Sequence, residues 1–380
     1  MNRQAGGLPY GAWSILWTAP GILLASLMIA WGAECAQFFV AQGLALAMLA
    51  WLQTMPEFAV EALLGYRQQS QYLLASLTGA LRLLTGLGWP MIYLSAAIAY
   101  RVRNKTGMRR IAIPSQQSIQ IVGLAACLVY VSVIAIKASL TLLDSVILIA
   151  IYGGYLWVLR QGPPEDREGI EDLGAIPKAI ALARRPLRIA AIAGLFLGGG
   201  ALIYFLTEPF LNSLFALSAA LGVSEFVFIQ WVYPFVSEFP EFFSAYYWAR
   251  NVDKAPLALM NLVSSNINQW TLLAAMLPVA LSLGHGGIVP LVFDGEQRLE
   301  YIMTLGQQLL GLMFLLNMQF AWWEAAGLFG LWLVQFIFSV GAAGTQVHWW
   351  VTYAYFAWAA VEAVRARKMN AWTAFRETLK

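Results

Sequence analysis

The stretches Gln53-Thr54-Met55-Pro56-Glu57 and Ser237-Glu238-Phe239-Pro240-Glu241 are close copies of one another, and each lies inside a long apolar run. A carboxylate in the hydrocarbon of a membrane is costly, so such a residue marks a functional site by default. Apolar segments that proline interrupts at matching positions of two halves are typical of the binding site of a secondary transporter. The two stretches therefore predict an ion antiporter whose site contains Glu57 and Glu241.

The composition indicates a protein with many membrane-spanning segments. Of the 380 residues, 60% are hydrophobic and only 11% are charged, and the mean hydropathy is +0.66. An ordinary soluble surface cannot be built from so few polar residues. No basic patch with interleaved aromatic residues is present, so nucleic acid is not an expected partner. The expected partners are membrane lipid and inorganic cations, and the sequence leaves the oligomeric state open.

Apolar runs of about 20 residues predict eleven membrane-crossing helices. They lie near residues 13–33, 40–64, 72–99, 117–136, 142–160, 189–207, 222–248, 256–284, 303–321, 323–342 and 347–364. We expect a first five-helix repeat in 1–160, a cytoplasmic linker in 161–188, a second five-helix repeat in 189–342, and an extra span with a basic cytoplasmic tail in 343–380. Because each repeat has an odd number of helices, the two repeats must have opposite orientations in the membrane.

The distribution of Lys and Arg predicts the orientation of the chain. Basic residues are concentrated in segments 101–110, 160–188 and 365–380, which alternating spans place on the same side of the membrane. Cytoplasmic loops carry the excess of positive charge in membrane proteins. We therefore expect a multi-pass inner-membrane protein with its N-terminus outside and its C-terminus in the cytoplasm.

A second pair of matched stretches is rich in small and hydroxyl residues. Ala75-Ser76-Leu77-Thr78-Gly79-Ala80-Leu81 lies one span after the first Pro-Glu pair, and Met260-Asn261-Leu262-Val263-Ser264-Ser265-Asn266 lies one span after the second. Their oxygens are hard ligands of the kind that suits Ca²⁺ or Na⁺, and no soft ligand for copper or zinc accompanies them. The expected oxygen donors around the two glutamates are Thr54, Thr78, Ser237, Asn261, Ser264, Ser265 and Asn266.

These motifs resemble those of the Ca²⁺:cation antiporter superfamily, which includes the sodium/calcium exchangers. The family pattern is Thr-Ser-x-Pro-Glu in one helix and Gly-Asn-x-x-Gly-Ser-Asn in the next, in each of two inverted halves, and residues 13–342 are similar to it. The resemblance implies an all-α fold of two inverted five-helix repeats, and exchange of Ca²⁺ or a related cation for Na⁺ or H⁺ by alternating access. The ligands that it implies are Glu57 and Glu241, flanked by Thr54, Ser237, Ser265 and Asn266.

The first repeat departs from this pattern at positions that supply ligands. Gln53-Thr54 stands where the family has Thr-Ser, and Ala80-Leu81-Arg82 stands where it has Ser-Asn and an apolar residue. An arginine at membrane depth needs a carboxylate or water. We therefore expect Arg82 either to share the region of the site carboxylates or to serve as a structural counter-ion elsewhere.

Two further glutamates enlarge the expected cluster of carboxylates. Glu238 stands where the family pattern has a serine, and Glu61 lies one helical turn beyond Glu57 on the same helix face. Crowded carboxylates retain protons more readily than isolated ones. If Arg82 holds one carboxylate ionised, Glu61 or Glu238 becomes the group that exchanges protons, and transport couples to a pH gradient.

Two other classes of function compete with transport. A degenerate relative that binds cations or has a structural role without transport is the main alternative, because the first repeat has lost ligands. A membrane-embedded enzyme would need a motif such as His-Glu-x-x-His or Gly-x-Gly-Asp, and neither occurs. We therefore expect neither an enzyme nor a bound cofactor. His285, His348, Cys35 and Cys127 have no partners at metal-ligand spacing, which predicts structural or interfacial roles for the two histidines.

Overall fold

The structure, a computed structural model, describes residues 10–36, 54–162, 170, 173–339, 344–365 and 370–379, and these are almost entirely helical. The first half contains α1 (Ile15–Ala36), α2 (Met55–Tyr66), α3 (Ser70–Asn104), α4 (Ser118–Lys137) and α5 (Leu142–Leu159). The short helix α6 (Ala175–Ala181) follows. The second half contains α7 (Arg185–Leu221), α8 (225–237), α9 (Phe239–Ala249), α10 (Val252–His285), α11 (Gly295–Leu315) and α12 (Trp322–Ile337), and the chain continues with α13 (Gly344–Arg365) and α14 (Asn370–Thr378).

The length and composition of several helices fit a membrane. Of the described residues, six helices are long and apolar enough to cross one, at Ala12–Ala36, Ser70–Asn104, Ser115–Lys137, Leu142–Leu159, Arg185–Leu221 and Val252–His285. The predicted all-α membrane fold is thereby confirmed. The second half also follows the order of the first, since α7, α9, α10, α11 and α12 succeed one another as α1 to α5 do.

Each half interrupts its α-helices at corresponding places. A π-helical turn occupies Leu84–Gly88 in α3 and Gln269–Leu273 in α10. Proline lies in the first turn of both α2 and α9, and the residue before each helix, Thr54 or Glu238, has non-helical backbone angles. Because proline cannot donate a backbone hydrogen bond, it fits a helix start and ends the preceding segment. The side chains next to these breaks are thus held at helix N-termini inside the protein.

In the described residues, four short strands connect the two halves. Strand β1 (Arg110–Ala112), before α4, pairs antiparallel with β4 (Gln319–Ala321), before α12. Strand β2 (Ser139–Leu140), before α5, pairs with β3 (Leu291–Val292), before α11. Each half therefore supplies one strand to each pair.

The ninth predicted span, 303–321, is placed wrongly by the sequence reading. Helix α11 already begins at Gly295, because Asp294 and Gln297 form a capping box in which Gln297 N donates to Asp294 Oδ1 over 2.8 Å. Residues 319–321 are strand β4 rather than helix. The earlier start brings Glu300, which the sequence reading leaves between spans, into the buried part of the helix.

Two other predicted boundaries meet the limits of the described residues. Of the second predicted span, 40–64, only Thr54 and α2 are described, and residues 40–53 lie outside. Of the predicted linker, 161–188, residues 163–169 and 171–172 lie outside, whereas 175–181 form α6 and α7 already begins at Arg185. Helix α7 continues to Leu221, beyond the predicted span 189–207.

Gly79 sets the closest approach between α3 and α8. A Cβ atom at this position would clash with the backbone carbonyl oxygen of Gln230. Because glycine has no Cβ atom, it lets two helix backbones approach this closely at a crossing. The contact brings α8, which carries Gln230 and leads to Glu238, directly against α3.

Candidate functional site

Four glutamates are buried together between the two halves of the chain. Glu57 and Glu61 project from α2, while Glu238 and Glu241 lie at the start of α9. None of the four is more than 2% exposed. The carboxyl group of Glu57 lies within electrostatic range of those of Glu61, Glu238 and Glu241. The two proline-linked breaks thus collect carboxylates from both halves in one place.

The side-chain amide of Gln269 joins carboxylates from the two halves. Its Nε2 donates to Glu238 Oε1 over 2.7 Å and also lies 3.2 Å from Glu57 Oε2. The carboxyl groups of Glu57 and Glu238 lie within electrostatic range of each other. An ionised carboxylate only accepts hydrogen bonds, so the amide nitrogen of Gln269 is a donor that both groups can share. This amide therefore holds one carboxyl group from each half beside the other.

Hydroxyl and amide groups surround the glutamates. Ser76 Oγ on α3 donates to Glu61 Oε1 over 2.9 Å. Thr54 Oγ1 accepts a hydrogen bond from Asn268 Nδ2 over 2.9 Å, so the N-terminal end of α2 is tied to the π-helical region of α10. The buried hydroxyl of Tyr233 on α8 lies within electrostatic range of Glu57, Glu61 and Glu238. The site therefore offers neutral oxygens in addition to carboxylates.

No fixed positive charge neutralises the four glutamates within the part of the chain that the structure describes. The ion pairs found there involve other acidic residues. In the same part of the chain, no three His, Cys, Asp or Glu side chains converge as a preformed metal site would require. Buried carboxylates without a counter-ion must carry protons or bind a cation.

Several residues that we expected from the sequence to be oxygen ligands of a cation have other hydrogen-bond partners in the structure. Thr78 Oγ1 donates to the backbone oxygen of Leu74 over 2.6 Å, and Ser237 Oγ lies 3.5 Å from the backbone oxygen of Pro234. Ser264 is hydrogen-bonded to Tyr155 over 3.1 Å. These hydroxyls satisfy the helix backbone or a neighbouring helix rather than the carboxylates.

The amides and Ser265 of the second matched stretch also lie apart from the hydrogen bonds of the glutamates. Asn266 Nδ2 donates to Thr85 Oγ1 over 2.9 Å and lies 3.3 Å from Gln308 Oε1. Asn261 is partly exposed, and its Nδ2 has no hydrogen-bond partner among the described residues. Ser265 is 8% exposed. The structure therefore brings together Thr54, Glu57, Glu61, Glu238 and Glu241, but joins none of Thr78, Asn261, Ser265 and Asn266 to them by a hydrogen bond.

Arg82 pairs with a residue that the sequence reading did not single out. Its Nη1 lies 2.6 Å from Glu300 Oε2 on α11, and both side chains are almost completely buried. The guanidinium Cζ also lies 4.9 Å from the centre of the Trp231 ring, and Nε donates to the backbone oxygen of Thr78. The expectation that Arg82 shares the region of the four site carboxylates is therefore corrected, since its charge is neutralised by Glu300.

Glu300 is itself the centre of a second buried polar cluster. Gln230 Nε2 donates to Glu300 Oε2 over 2.7 Å, and His348 Nδ1 on α13 lies 2.8 Å from Glu300 Oε1. Gln335 Oε1 on α12 accepts from Arg82 Nη1 over 3.3 Å. We call Arg82, Gln230, Glu300, Gln335 and His348 the Glu300 cluster. It connects five helices.

Sequence reasoning missed Gln269, Asn268 and Tyr233 at the site. A glutamine in an apolar helix is not part of a recognised motif, and the feature that marks its position is visible only in the structure. Gln269 begins the π-helical turn of α10, and such turns are frequent at functional sites. Glu300 was missed because the sequence reading placed it outside the ninth span.

A model of a known protein family matches this chain in two segments, one in each half. The family model described as sodium/calcium exchanger protein matches residues 10–160 and 191–341. The crystal structure of the H⁺/Ca²⁺ exchanger CAX is 26% identical, with a TM-score of 0.88, and the match covers 97% of this chain and 91% of that chain. The structure of native YfkE is 14% identical, with a TM-score of 0.61, covering 92% and 93%. A structure of the sodium-calcium exchanger NCX_Mj is 19% identical, with a TM-score of 0.56, covering 87% and 98%. At these lower identities the last two show a shared fold alone. No curated protein sequence matches this chain.

Proposed function

Since the chain belongs to the sodium/calcium exchanger protein family, we propose that it is a secondary active antiporter that exchanges Ca²⁺, or a related divalent cation, for protons by alternating access. The carboxylates of Glu57 and Glu241 bind the cation directly. Glu238 and Glu61 lie beside these two carboxylates. They release protons when the cation binds and take up protons when it leaves. Sodium coupling is the competing form of the same proposal.

The observation that carries the proposal is the absence of a fixed counter-charge beside four buried carboxylates in the described part of the chain. Such a group is stable in two forms, either protonated or bound to a cation. A divalent cation that enters displaces protons, and its departure lets protons return. The group is neutral when all four carboxyl groups are protonated, and again when one divalent cation has displaced two of the four protons. The site can change its access between the two sides of the membrane in either neutral form, whereas the empty ionised group would bury four negative charges. This condition couples the two fluxes.

The oxygen chemistry supports Ca²⁺ as the cation class. Carboxylate, hydroxyl and amide oxygens are the ligands that Ca²⁺ takes, six to eight at a time. Glu57, Glu238 and Gln269 already lie in mutual contact. Gln269 Oε1 and Glu241 Oε2 have no hydrogen-bond partner among the described residues. These two oxygens provide additional ligands for a cation that enters the site.

Transport in proteoliposomes tests the proposal. We expect Ca²⁺ uptake to follow a pH gradient in the absence of Na⁺, and to be lost in Glu57→Gln and Glu241→Gln. Glu377→Gln, at an exposed position of α14, is the matched control and should transport like the wild type. Uptake driven by Na⁺ at fixed pH and indifferent to a pH gradient would replace protons by sodium as the coupling ion. Equilibrium Ca²⁺ binding without any flux would instead favour a degenerate relative that binds but does not transport.

The orientation is part of the proposal. We propose that the C-terminus, with Arg376 on α14, faces the cytoplasm of the inner membrane, following the excess of basic residues on that side. A cysteine placed at Thr378 should react with an impermeant thiol reagent in inside-out vesicles but not in intact cells. The opposite labelling pattern would reverse the orientation.

A further inference from the structure

His348 is held between two hydrogen-bond acceptors in the Glu300 cluster. Its Nδ1 lies 2.8 Å from Glu300 Oε1, and its Nε2 lies 3.3 Å from the backbone oxygen of Gln335. The residue is 6% exposed. A neutral imidazole has one N–H donor and one acceptor nitrogen, whereas the protonated ring has two donors. Only the protonated ring satisfies both contacts.

The two acceptors are fixed by other parts of the structure. Glu300 cannot readily act as the donor towards His348, because it pairs with Arg82 and accepts from Gln230. Gln335 lies in the last turn of α12, where its backbone oxygen accepts a hydrogen bond from Ser339 Oγ over 2.8 Å. A carbonyl oxygen has two lone pairs, so it can accept a second hydrogen bond from His348. Both acceptors therefore persist whether or not the imidazole is protonated.

The charged groups around the imidazole are also consistent with a proton there. Glu300 and Glu296 on α11 are negative and act on His348, and Arg82 on α3 is positive. With a protonated imidazole, the buried group of Arg82, Glu300 and His348 has one positive charge more than negative ones. The carboxylate of Glu296, at the exposed side of the same helix, partly compensates this excess.

We propose that His348 is a second proton-binding site, separate from the four glutamates, and that the proton it binds stabilises the packing of α13 against α11 and α12. Helix α13 lies outside the segments that the family model matches. Its His348 contacts Glu300, and Glu300 pairs with Arg82, the residue at which this chain departs from the family motif. Loss of the proton removes one of the two hydrogen bonds that His348 makes to α11 and α12. The proposal does not depend on which ion is transported.

Nitrogen NMR of the imidazole tests the protonation directly. The chain contains two histidines, and His285 is exposed at the end of α10, so His285→Gln leaves His348 as the only signal. In this variant, labelled and reconstituted in lipid, we expect protons on both ring nitrogens at pH 6. A ring with a single protonated nitrogen at pH 6 would overturn the proposal. Neither result depends on Ca²⁺ flux, so failure of the transport function is distinguishable.

Removal of Glu300 provides the second measurement. In the His285→Gln background, Glu300→Gln should leave a single protonated nitrogen on His348 at the same pH. Where the unpaired Arg82 prevents folding of this variant, Arg82→Met combined with Glu300→Gln removes both charges and should give the same NMR signature. Two protonated nitrogens in either folded variant would show that Glu300 does not hold the proton, against the proposal.

Hydrogen exchange measures whether this proton stabilises the packing of α13. After correction for intrinsic rates, the amides of residues 344–365 should exchange at least several-fold more slowly at pH 6 than at pH 8.5 in the wild type. His348→Gln should abolish this difference, and His285→Gln should retain it. If His348→Gln showed the same difference in exchange rate between pH 6 and pH 8.5 as the wild type, the proton on His348 would not stabilise α13.

Discussion

Gln269, in the second half of the chain, donates a hydrogen bond to Glu57, in the first half, with Nε2 3.2 Å from Oε2. The same nitrogen lies 2.7 Å from Glu238 Oε1. A single neutral amide therefore aligns two carboxyl groups from opposite halves. Under the proposed function a cation that binds both carboxyl groups must displace this bridge, so substitution of Gln269 tests the site directly.

Gln269→Leu should weaken Ca²⁺ binding. The substitution removes the donor that aligns Glu57 with Glu238 and also removes a potential oxygen ligand. We expect the Ca²⁺ dissociation constant to rise about tenfold, equivalent to ~1.4 kcal/mol, as measured by equilibrium binding to purified protein. Gln116→Leu, at an exposed position before α4, is the control. Equal affinities in the two variants would exclude Gln269 from the site.

Ca²⁺ affinity should fall as the pH falls, because protons and Ca²⁺ compete for the same carboxyl groups. Each displaced proton contributes about a tenfold change in affinity per pH unit. Glu61→Gln removes one titratable carboxyl and should make the dependence shallower, as measured by Ca²⁺ binding between pH 6 and 8. If Glu61→Gln and wild type gave parallel curves, Glu61 would not release a proton when Ca²⁺ binds.

Breaking the ion pair of Arg82 should reduce stability. Arg82→Met removes the guanidinium that pairs with Glu300 and leaves His348 as the remaining ion-pair partner of this carboxylate. Removal of one partner of a buried pair costs about 3–5 kcal/mol. The double variant Arg82→Met with Glu300→Gln should recover part of this loss, as measured by the melting temperature in detergent. Additive losses in the double variant would mean that the two residues do not interact.

Gly79→Ala should destabilise the protein strongly. The added methyl group would clash with the backbone carbonyl of Gln230, so α3 and α8 must separate, and we expect a loss above about 2 kcal/mol. Gly153→Ala on α5 is the control, because a Cβ there has no atom within 4 Å. Thermal unfolding followed by size-exclusion chromatography compares the two. Similar melting temperatures would contradict the close approach at Gly79.

The burial of Glu57 and Glu241 was predictable because charged residues in apolar segments are rare. Glu57 and Glu241 stood out for this reason, and their repetition with proline indicated two matching helix starts. The partners of Arg82 were not predictable, since Glu300 and His348 lie far from it in the sequence and meet it only through the packing of α3, α11 and α13. A sequence motif records neighbours along one helix, whereas this cluster depends on contacts between helices.

The same limit applies to the oxygen ligands. Thr78 and Asn266 fit the expected pattern by type and spacing, but their side chains bond to Leu74 and to Thr85. A hydroxyl on a helix can always satisfy its own backbone one turn earlier. Whether it does so or turns towards an ion is decided by the surrounding packing, which spacing alone does not encode.

The strand pairs β1–β4 and β2–β3, which join the two halves, constrain the order in which the protein can fold. Strand β1 at Arg110–Ala112 finds its partner only in β4 at Gln319–Ala321, which is synthesised after most of the chain has entered the membrane. Pairing between such distant segments is slow, because a long loop must close before any bond forms. The first half therefore cannot reach its final form during its own synthesis. Strand β1 remains without its partner until residue 321 has been synthesised, so the two halves complete their folding together rather than one after the other.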